Sequence, residues 1–202
     1  MIITDITTQT EVHPGFGKSG LPRSVGDRVV HVTEVLDKLD EVSGGGKKYS
    51  ERGFDLQMCG ELGFCWEDAL EGAYAGRYKW ERPGEVWKDG IVGSPDGLEP
   101  GVRVHEIKLR WKSLRNFDLK SEEKILMQAK SYCVMTGVRE CWFHVGFVMA
   151  SWGYGELGEP KEIGPVRKVW KCEWGKVELW EHWKMMRRGR DMVLEDRARG
   201  LL

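Results

Sequence analysis

Apolar residues recur at helical spacing in two stretches of the first half of the chain. In residues 24–42 they stand three or four positions apart before the glycines of SGGGKK, which predicts a helix that ends there. A second stripe in residues 54–78 predicts another helix, with one face formed by Leu62, Trp66, Ala69, Leu70 and Ala73. Residues 1–27 are rich in Gly, Pro and Thr, which predicts an irregular arm before a helical region at 28–80.

From residue 78 onward the pattern changes to short alternating runs of apolar and polar residues. Pro-Gly, Asp-Gly and Pro-Asp-Gly turn signals divide residues 78–111 into three predicted strands. In the last of these, VRVHEIKLRW, Glu106 and Lys108 share one face and His105 alternates to the other. Charged side chains that face a core need a partner, a metal or a chemical role.

The second half of the chain predicts a helix, two strands and a closing helix. Ser121 suits the N-cap of a helix that ends before Gly137. CWFHVGFVMASW and GPVRKVWKCEW are typical of strands, and residues 177–199 predict the closing helix. The order of elements predicts an α/β fold in which helices flank a mixed central sheet. At 202 residues, one domain is expected.

Composition narrows the class of protein. The hydrophobic fraction of 41% and the charged fraction of 31% are typical of a soluble globular domain. No apolar run reaches the length of a membrane helix and the N-terminus lacks a secretory signal, so we expect no membrane association and a cytoplasmic location. Five scattered cysteines without a C-x-x-C pair favour reduced thiols and argue against a zinc or iron–sulfur site.

The formal net charge of −1 hides an asymmetry between the two halves of the chain. Residues 1–100 carry 11 Lys and Arg against 18 Asp and Glu, whereas residues 101–202 carry 20 against 14. A basic second half could supply phosphate contacts. Solvated helix faces are the simpler explanation, so charge does not decide the function.

The segment GSPDGLEPGVRVHEIKLR contains the strongest candidate site. Mg²⁺ prefers oxygen ligands and typically uses one or two carboxylates with waters and phosphate. Asp96 at the turn and Glu106 on the next strand supply two such ligands, and the carbonyl of Ile107 could provide a third oxygen. Lys108 would lie beside a metal-bound water, where it would orient that water, assist its deprotonation or stabilise phosphate charge. Glu-x-Lys and Pro-Asp-Gly are each commonplace, and only their order favours a site.

Two further features lie on predicted helices. Gln128 and Tyr132 are four residues apart on the helix after the Glu-x-Lys strand, so they share a face. Glu67 lies on the second helix within WEDALEGAY. Taken alone, the Gln and Tyr fit ordinary half-buried side chains as well as functional ones, and a single Glu on an amphipathic helix is usually solvated.

Together these motifs resemble the PD-(D/E)XK nuclease superfamily, in the branch with a Q-x-x-x-Y helix. The matching stretches are WEDALEGAY, GSPDGL, HEIKL and QAKSY, within about residues 60–150. That branch includes lambda-type exonucleases and YqaJ-type viral recombinases, and GSPDGL followed by EIK is most similar to the viral exonuclease pattern. The resemblance implies a restriction-endonuclease-like core with an N-terminal helical elaboration, a catalytic sheet and helix at 81–175 and a C-terminal helix at 176–202.

The resemblance also implies roles for the matching residues. Asp96 and Glu106 would bind one or two Mg²⁺ or Mn²⁺ ions, with Glu67 a ligand directly or through water. Lys108 would serve the attacking water. Lys108 and the DNA strand would be positioned by two residues of the following helix, Gln128 and Tyr132.

The implied function is a metal-dependent DNA exonuclease of phage or prophage recombination type, acting in the bacterial or host cytoplasm. Some relatives hold an iron–sulfur cluster on C-terminal cysteines, but Cys172 is the only cysteine after Cys141, so no cluster is expected. The expected partners are DNA, a single-strand annealing protein or another recombination protein, and further copies of the chain in a homo-oligomer. Two alternatives stay open: a structure-specific or single-strand endonuclease, and a non-catalytic DNA-binding protein that retains the nuclease core.

Overall fold

A computed structural model describes residues 1–5, 29–44, 56–74, 79–110, 114, 117–148 and 166–201. Its elements, in chain order, are β1 (Ile2–Asp5), β2 (Val30–His31), α1 (Val32–Val42), α2 (Leu56–Tyr74), β3 (Val86–Lys88), β4 (Ile91–Gly93), β5 (Gly97–Glu99), β6 (Arg103–Arg110), a 3₁₀ turn (Leu119–Ser121), α3 (Glu123–Thr136), β7 (Glu140–Phe147), β8 (Val166–Glu173) and α4 (Lys176–Ala198).

The central sheet has five strands in the order β1–β8–β7–β6–β5. Strands β6 and β7 are parallel, whereas the other neighbouring pairs are antiparallel, so the sheet is mixed as predicted. The parallel pair requires a crossover, and α3 supplies it. This β6–α3–β7 unit contains both the Glu-x-Lys strand and the Gln–Tyr helix.

Local sequence explains the ends of α3. Gly137 adopts the left-handed conformation (φ 78°) and its N–H donates to the carbonyl of Cys133, which confirms the predicted end of the helix. At the other end the N-cap is Glu122 and not Ser121, because Ser121 closes the preceding 3₁₀ turn and donates its hydroxyl to the carbonyl of Asp118.

Two apolar clusters lie on opposite faces of the sheet. The larger cluster joins one face to α1, α3 and α4, and it includes Val104, Phe143 and Met186. The smaller one lies under α2 and consists of Leu70, Tyr74, Trp80 and Ile107, with Trp66 against it. Val104 and Ile107 therefore face opposite sides of β6, as the alternation of this strand predicted.

Several boundaries differ from the sequence expectations. The arm begins with β1, which pairs with the edge of β8, so residues 2–5 are not irregular; the rest of the arm lies outside the described residues. Residues 30–31, predicted as helix, form β2, which pairs in parallel with β4. Helix α2 spans 56–74, and the remaining residues of the predicted helix 54–78 lie outside the described residues. In place of the three strands predicted in 78–111, the described residues 79–110 form four, β3 to β6.

A second, three-stranded sheet has the order β2–β4–β3 and leads directly into the turn that carries Asp96. Its β3–β4 connection contains Asp89 and Gly90, both with positive φ, as a tight hairpin requires. Asp89 accepts a hydrogen bond of 2.7 Å from the indole N–H of Trp183 on α4. Of the helices that the structure describes, none combines the length and apolar character that crossing a membrane demands.

Candidate active site

Asp96 joins the turn before β5 to the middle of β6. Strand β5 pairs with β6 only as far as Gly97, which lies opposite His105, so β6 continues past the end of its neighbour. In the space beyond that end, the Asp96 carboxylate accepts a hydrogen bond of 2.7 Å from the backbone N–H of Ile107. The carboxylate is thereby placed beside the Glu-x-Lys segment.

The backbone of Ile107 presents both of its polar groups at this edge of the strand. The N–H and C=O of one residue in a strand point to the same side, because paired residues exchange both bonds. The Ile107 carbonyl therefore lies on the same edge as the N–H that Asp96 binds. Its role as a metal ligand stays a prediction.

Glu106 is a fully buried carboxylate, with 0% of the residue exposed. Lys108 Nζ lies 2.5 Å from its Oε1 as an ion pair, but within the part of the chain that the structure describes neither carboxylate oxygen accepts a hydrogen bond of favourable geometry. Burial raises the pKa of Glu106 to about 8; Lys108 opposes that rise, and Asp96 adds to it. A carboxylate in this state is stabilised by any further cation placed against its oxygens.

Lys108 lies between the two carboxylates. Its Nζ is 2.5 Å from Glu106 and 3.8 Å from Asp96. Burial acts to lower the pKa of Lys108, but the Glu106 and Asp96 carboxylates outweigh burial and hold that pKa above its usual value. Lys108 is therefore a cation in this arrangement.

Tyr132 and Gln128 meet on the face of α3 that looks toward these groups. The Gln128 amide donates to the Tyr132 hydroxyl at 2.8 Å, as their i, i+4 spacing predicted. Burial raises the pKa of Tyr132, and the Glu106 carboxylate raises it further, so the residue stays a phenol. Gly93 makes room for the ring, because a Cβ there would lie 2.5 Å from Tyr132 Cε1.

Glu67 approaches the site from α2. Burial raises the pKa of Glu67 to about 7, with a further rise from Asp96, while Lys108 and Arg82 act against it. Arg82 Nη2 lies 3.8 Å from the Glu67 carboxylate and 3.0 Å from that of Asp68. Its Nε lies 3.2 Å from a carboxylate one turn further along the helix, that of Glu71.

Arg82 is a charged residue of this region that the sequence motifs did not identify. It follows Glu81, whose backbone forms a bridge with Leu98 of β5, and this bridge brings the segment beside the Asp96 hairpin. The stretch ERPG is typical of an ordinary turn, so only the bridge between distant segments reveals the position of Arg82.

The chemistry of the donor set fits a hard divalent cation. Two carboxylates, from Asp96 and Glu106, and the Ile107 carbonyl lie at one edge of β6, and the buried Glu106 oxygens are the unsatisfied acceptors that such an ion would contact. Within the described ranges, no three His, Cys, Asp or Glu side chains are arranged so that they could hold a metal ion together. Metal binding by Asp96 and Glu106, with Glu67 a ligand directly or through water, stays a prediction.

The buried cysteines are part of the core near this site. Cys133, Cys141 and Cys172 are free thiols, and burial raises the pKa of each. They pack in the larger apolar cluster, where a neutral thiol behaves as a small hydrophobic group.

No protein-family model and no curated protein sequence matches the chain. Among solved structures, SSO0001 shares 15% identity over 86% of this chain and 79% of that chain, with a TM-score of 0.48. The alkaline exonuclease LHK-Exo from Laribacter hongkongensis shares 14% identity over 86% and 93%, with a TM-score of 0.47. A phage-related exonuclease from Haemophilus somnus 129PT shares 13% identity over 84% and 96%, with a TM-score of 0.43.

Two of these three neighbours are exonucleases.

Proposed function

We propose that the chain is a metal-dependent DNA nuclease, and specifically an exonuclease. The observation that carries the proposal is the pairing of a fully buried, hydrogen-bond-deficient Glu106 with Lys108 at 2.5 Å, next to the Asp96 carboxylate. Burying such a carboxylate is costly, and the cost is understandable where a cation is to be bound. A metal, an activated water and a nearby cation are the groups that phosphodiester hydrolysis requires.

Each residue has a distinct task in this proposal. Asp96, Glu106 and the Ile107 carbonyl would hold Mg²⁺ or Mn²⁺, which when bound supplies positive charge to the phosphate and acidifies water. Lys108 would direct its N–H groups at the attacking water or at a phosphate oxygen. The water oxygen bonds to phosphorus and gives up a proton to solvent, the bond from phosphorus to the leaving sugar oxygen breaks, and that oxygen takes up a proton from solvent to become a hydroxyl.

Tyr132 and Gln128 would position Lys108 and the DNA strand. Tyr132 lies close enough to Glu106 and Lys108 for their charges to affect its pKa, and its hydroxyl is already oriented by Gln128. The biological setting that we propose is phage or prophage recombination in the bacterial or host cytoplasm, with DNA and a recombination protein as partners.

The test is a cleavage assay with Mg²⁺ or Mn²⁺ on linear 5′-phosphorylated duplex DNA and, in parallel, on closed circular single-stranded DNA. We expect wild type to degrade only the linear DNA. Asp96→Ala, Glu106→Ala and Lys108→Ala should each lower the rate at least about 100-fold. Lys176→Ala, which changes an exposed residue at the start of α4, is the matched control and should cleave like wild type.

The outcomes separate the competing functions. Persistent cleavage by all three folded site variants would show that the site is elsewhere. Cleavage of the circle would identify an endonuclease, since an exonuclease has no end at which to begin. DNA binding without Mn²⁺ binding or cleavage would identify a non-catalytic DNA-binding protein.

A further inference from the structure

A row of buried polar side chains runs across the sheet on the face of β6 opposite Glu106. His105 Nε2 lies 2.9 Å from Glu99 Oε1, and His105 Nδ1 lies 3.0 Å from His144 Nε2. The row continues from His144 Nδ1 to the Tyr74 hydroxyl at 3.4 Å, and Arg167 Nη1 donates to that hydroxyl at 2.7 Å. Tyr74, His105 and His144 are each 0% exposed.

The row takes one residue from each of four adjacent strands and one from the helix above them. Glu99 belongs to β5, His105 to β6, His144 to β7 and Arg167 to β8, while Tyr74 is the last residue of α2. A single line of hydrogen bonds therefore connects the sheet across four strands and attaches α2 to it.

An ionised Glu99 sets a direction for the hydrogen bonds. Glu99 is paired with Arg103 at 3.2 Å, and as a carboxylate it accepts, so His105 Nε2 donates. His105 Nδ1 then accepts from His144 Nε2–H. The remaining acceptor, His144 Nδ1, faces the Tyr74 hydroxyl, whose oxygen accepts from Arg167. All donors point from the arginine end toward the carboxylate end, so the bonds polarise one another.

Loss of one member would leave its neighbours with unmet hydrogen bonds. A buried donor or acceptor without a partner costs about 1–3 kcal/mol, and water cannot replace the partner at fully buried positions. The rings are also fixed by contact, since Trp80 stacks on Tyr74 with centroids 5.3 Å apart and lies 4.0 Å from the ring of His105. Hydrogen bonds and ring contacts together hold the side chains of the row in place.

Every candidate metal-binding carboxylate is a near neighbour, along the chain, of a member of this row. His105 directly precedes Glu106 on β6. Glu99 follows Asp96 by three residues. Tyr74 follows Glu67 by seven residues, which is about two helical turns and therefore the same side of α2.

We propose that the Tyr74–His144–His105–Glu99 row is a positioning network that holds β5, β6 and α2 in the relative arrangement that the metal site needs. The inference rests on the proposed function. The row touches no reacting atom, and it acts through the backbone that carries Glu106, Asp96 and Glu67.

The experiment compares disruptive and conservative changes in the metal-free and Mn²⁺-bound protein. His105→Leu and Tyr74→Phe break the row, whereas His105→Gln keeps one donor and one acceptor. Val193→Ala on α4 removes buried volume from the larger apolar cluster and is the control for lost stability alone. The readouts are thermal midpoint, Mn²⁺ affinity by calorimetry, kcat and KM on linear DNA, and exchange of the Ile107 amide proton.

We expect His105→Leu to weaken Mn²⁺ binding and lower kcat at least tenfold with little change in KM, and Tyr74→Phe to act in the same direction. His105→Gln should keep much of the wild-type Mn²⁺ affinity and kcat. Val193→Ala should lower only the thermal midpoint. Wild-type Mn²⁺ affinity and kcat in folded His105→Leu would overturn the proposal, because a purely structural row would alter only stability.

Exchange of the Ile107 amide makes the two proposals separable. This N–H donates to Asp96, so its protection reports the site geometry without metal or DNA. Faster exchange in His105→Leu and Tyr74→Phe, but not in Val193→Ala, would support the network even if wild type bound no Mn²⁺ and the proposed nuclease function failed. Unchanged protection in both row variants would reject the network whatever the activity.

Discussion

Asp96 combines two jobs at the scale of a single residue. Its carboxylate satisfies the backbone N–H of Ile107 at 2.7 Å, and it also contributes negative charge beside Lys108 and Glu106. The first job needs only an acceptor oxygen, whereas the second needs a charge. The two jobs can therefore be separated by substitution.

We expect Asp96→Asn to fold with near wild-type stability and to lose Mn²⁺ binding, because the amide oxygen still accepts from Ile107 but the charge is gone. Asp96→Ala should also lose Mn²⁺ binding. Its free energy of unfolding should fall by about 1–3 kcal/mol more than that of Asp96→Asn, because the Ile107 N–H is left without its acceptor. Urea unfolding and calorimetry measure both effects. Equal stability of the two variants would show that the hydrogen bond contributes nothing.

The candidate residues differ in how far the sequence alone could identify them. The shared strand face of Glu106 and Lys108 and the shared helix face of Gln128 and Tyr132 follow from periods of 2 and 3.6, which are local properties. That Glu106 is fully buried does not follow, since Glu-x-Lys on a strand is ordinarily exposed. Arg82 was missed because its three acidic partners lie on α2, which it meets only after folding.

The α3–α4 interface shows how an element contact creates pH dependence. His182 on α4 contacts the Ser131 hydroxyl on α3 at 2.9 Å. Burial lowers the pKa of His182 to about 4, and Lys130 lowers it further, while Met127 and Glu178 oppose this. The folded protein thus holds a neutral imidazole at a pH where the unfolded chain, with a pKa of about 6.5, takes up a proton.

The contribution of neutral His182 to the free energy of unfolding should be fully present above pH 6.5 and should be lost as pH falls toward 4. In that range the unfolded state binds more protons than the folded state. The loss by pH 4.5 is about 2–3 kcal/mol. His182→Gln keeps a polar group for Ser131 and cannot titrate, so its unfolding free energy should fall less between pH 7 and pH 4.5. Met186→Leu should keep the wild-type slope; parallel curves for wild type and His182→Gln would contradict the assignment.

Element positions were predicted better than element pairings. Beyond residue 80 the observed order of helices and strands is close to the predicted order. Turn signals and hydrophobic periods extend over only a few residues, so they can be recognised from local sequence. Strands β1 and β2 were missed, since each is short and exists only through its partner: β1 pairs with β8 and β2 with β4. Such pairing depends on segments more than 50 residues away in the chain.

At the scale of the whole molecule, charge bears on assembly. A formal net charge of −1 gives one chain little general attraction for DNA, although its second half is basic. We therefore propose that the active form is a ring of chains or a complex with a partner protein, either of which gathers positive charge around the DNA. That residues 1–202 form a single domain also stays a prediction.

Sedimentation at the concentration used for cleavage should give a mass that is a multiple of 23.2 kDa. The rate per chain should also rise with protein concentration until assembly is complete, and then stay constant. Lys176→Ala removes one surface charge without changing the site, so it is the control for an effect of charge alone on mass and rate. A sedimentation mass of one chain together with full activity would remove the idea of an obligate oligomer.

Local sequence was enough to predict the α/β class, the two faces of the Glu-x-Lys strand, the Gln–Tyr pair and the glycine that ends α3. These features depend on side-chain periodicity and backbone preference within a few residues. The folded chain reveals what local sequence could not: Glu106 is buried, Asp96 binds the Ile107 amide, Arg82 contacts the acidic side of α2, and two histidines belong to a row that joins four strands. Each of these depends on residues from separate elements, which come together only when the chain folds.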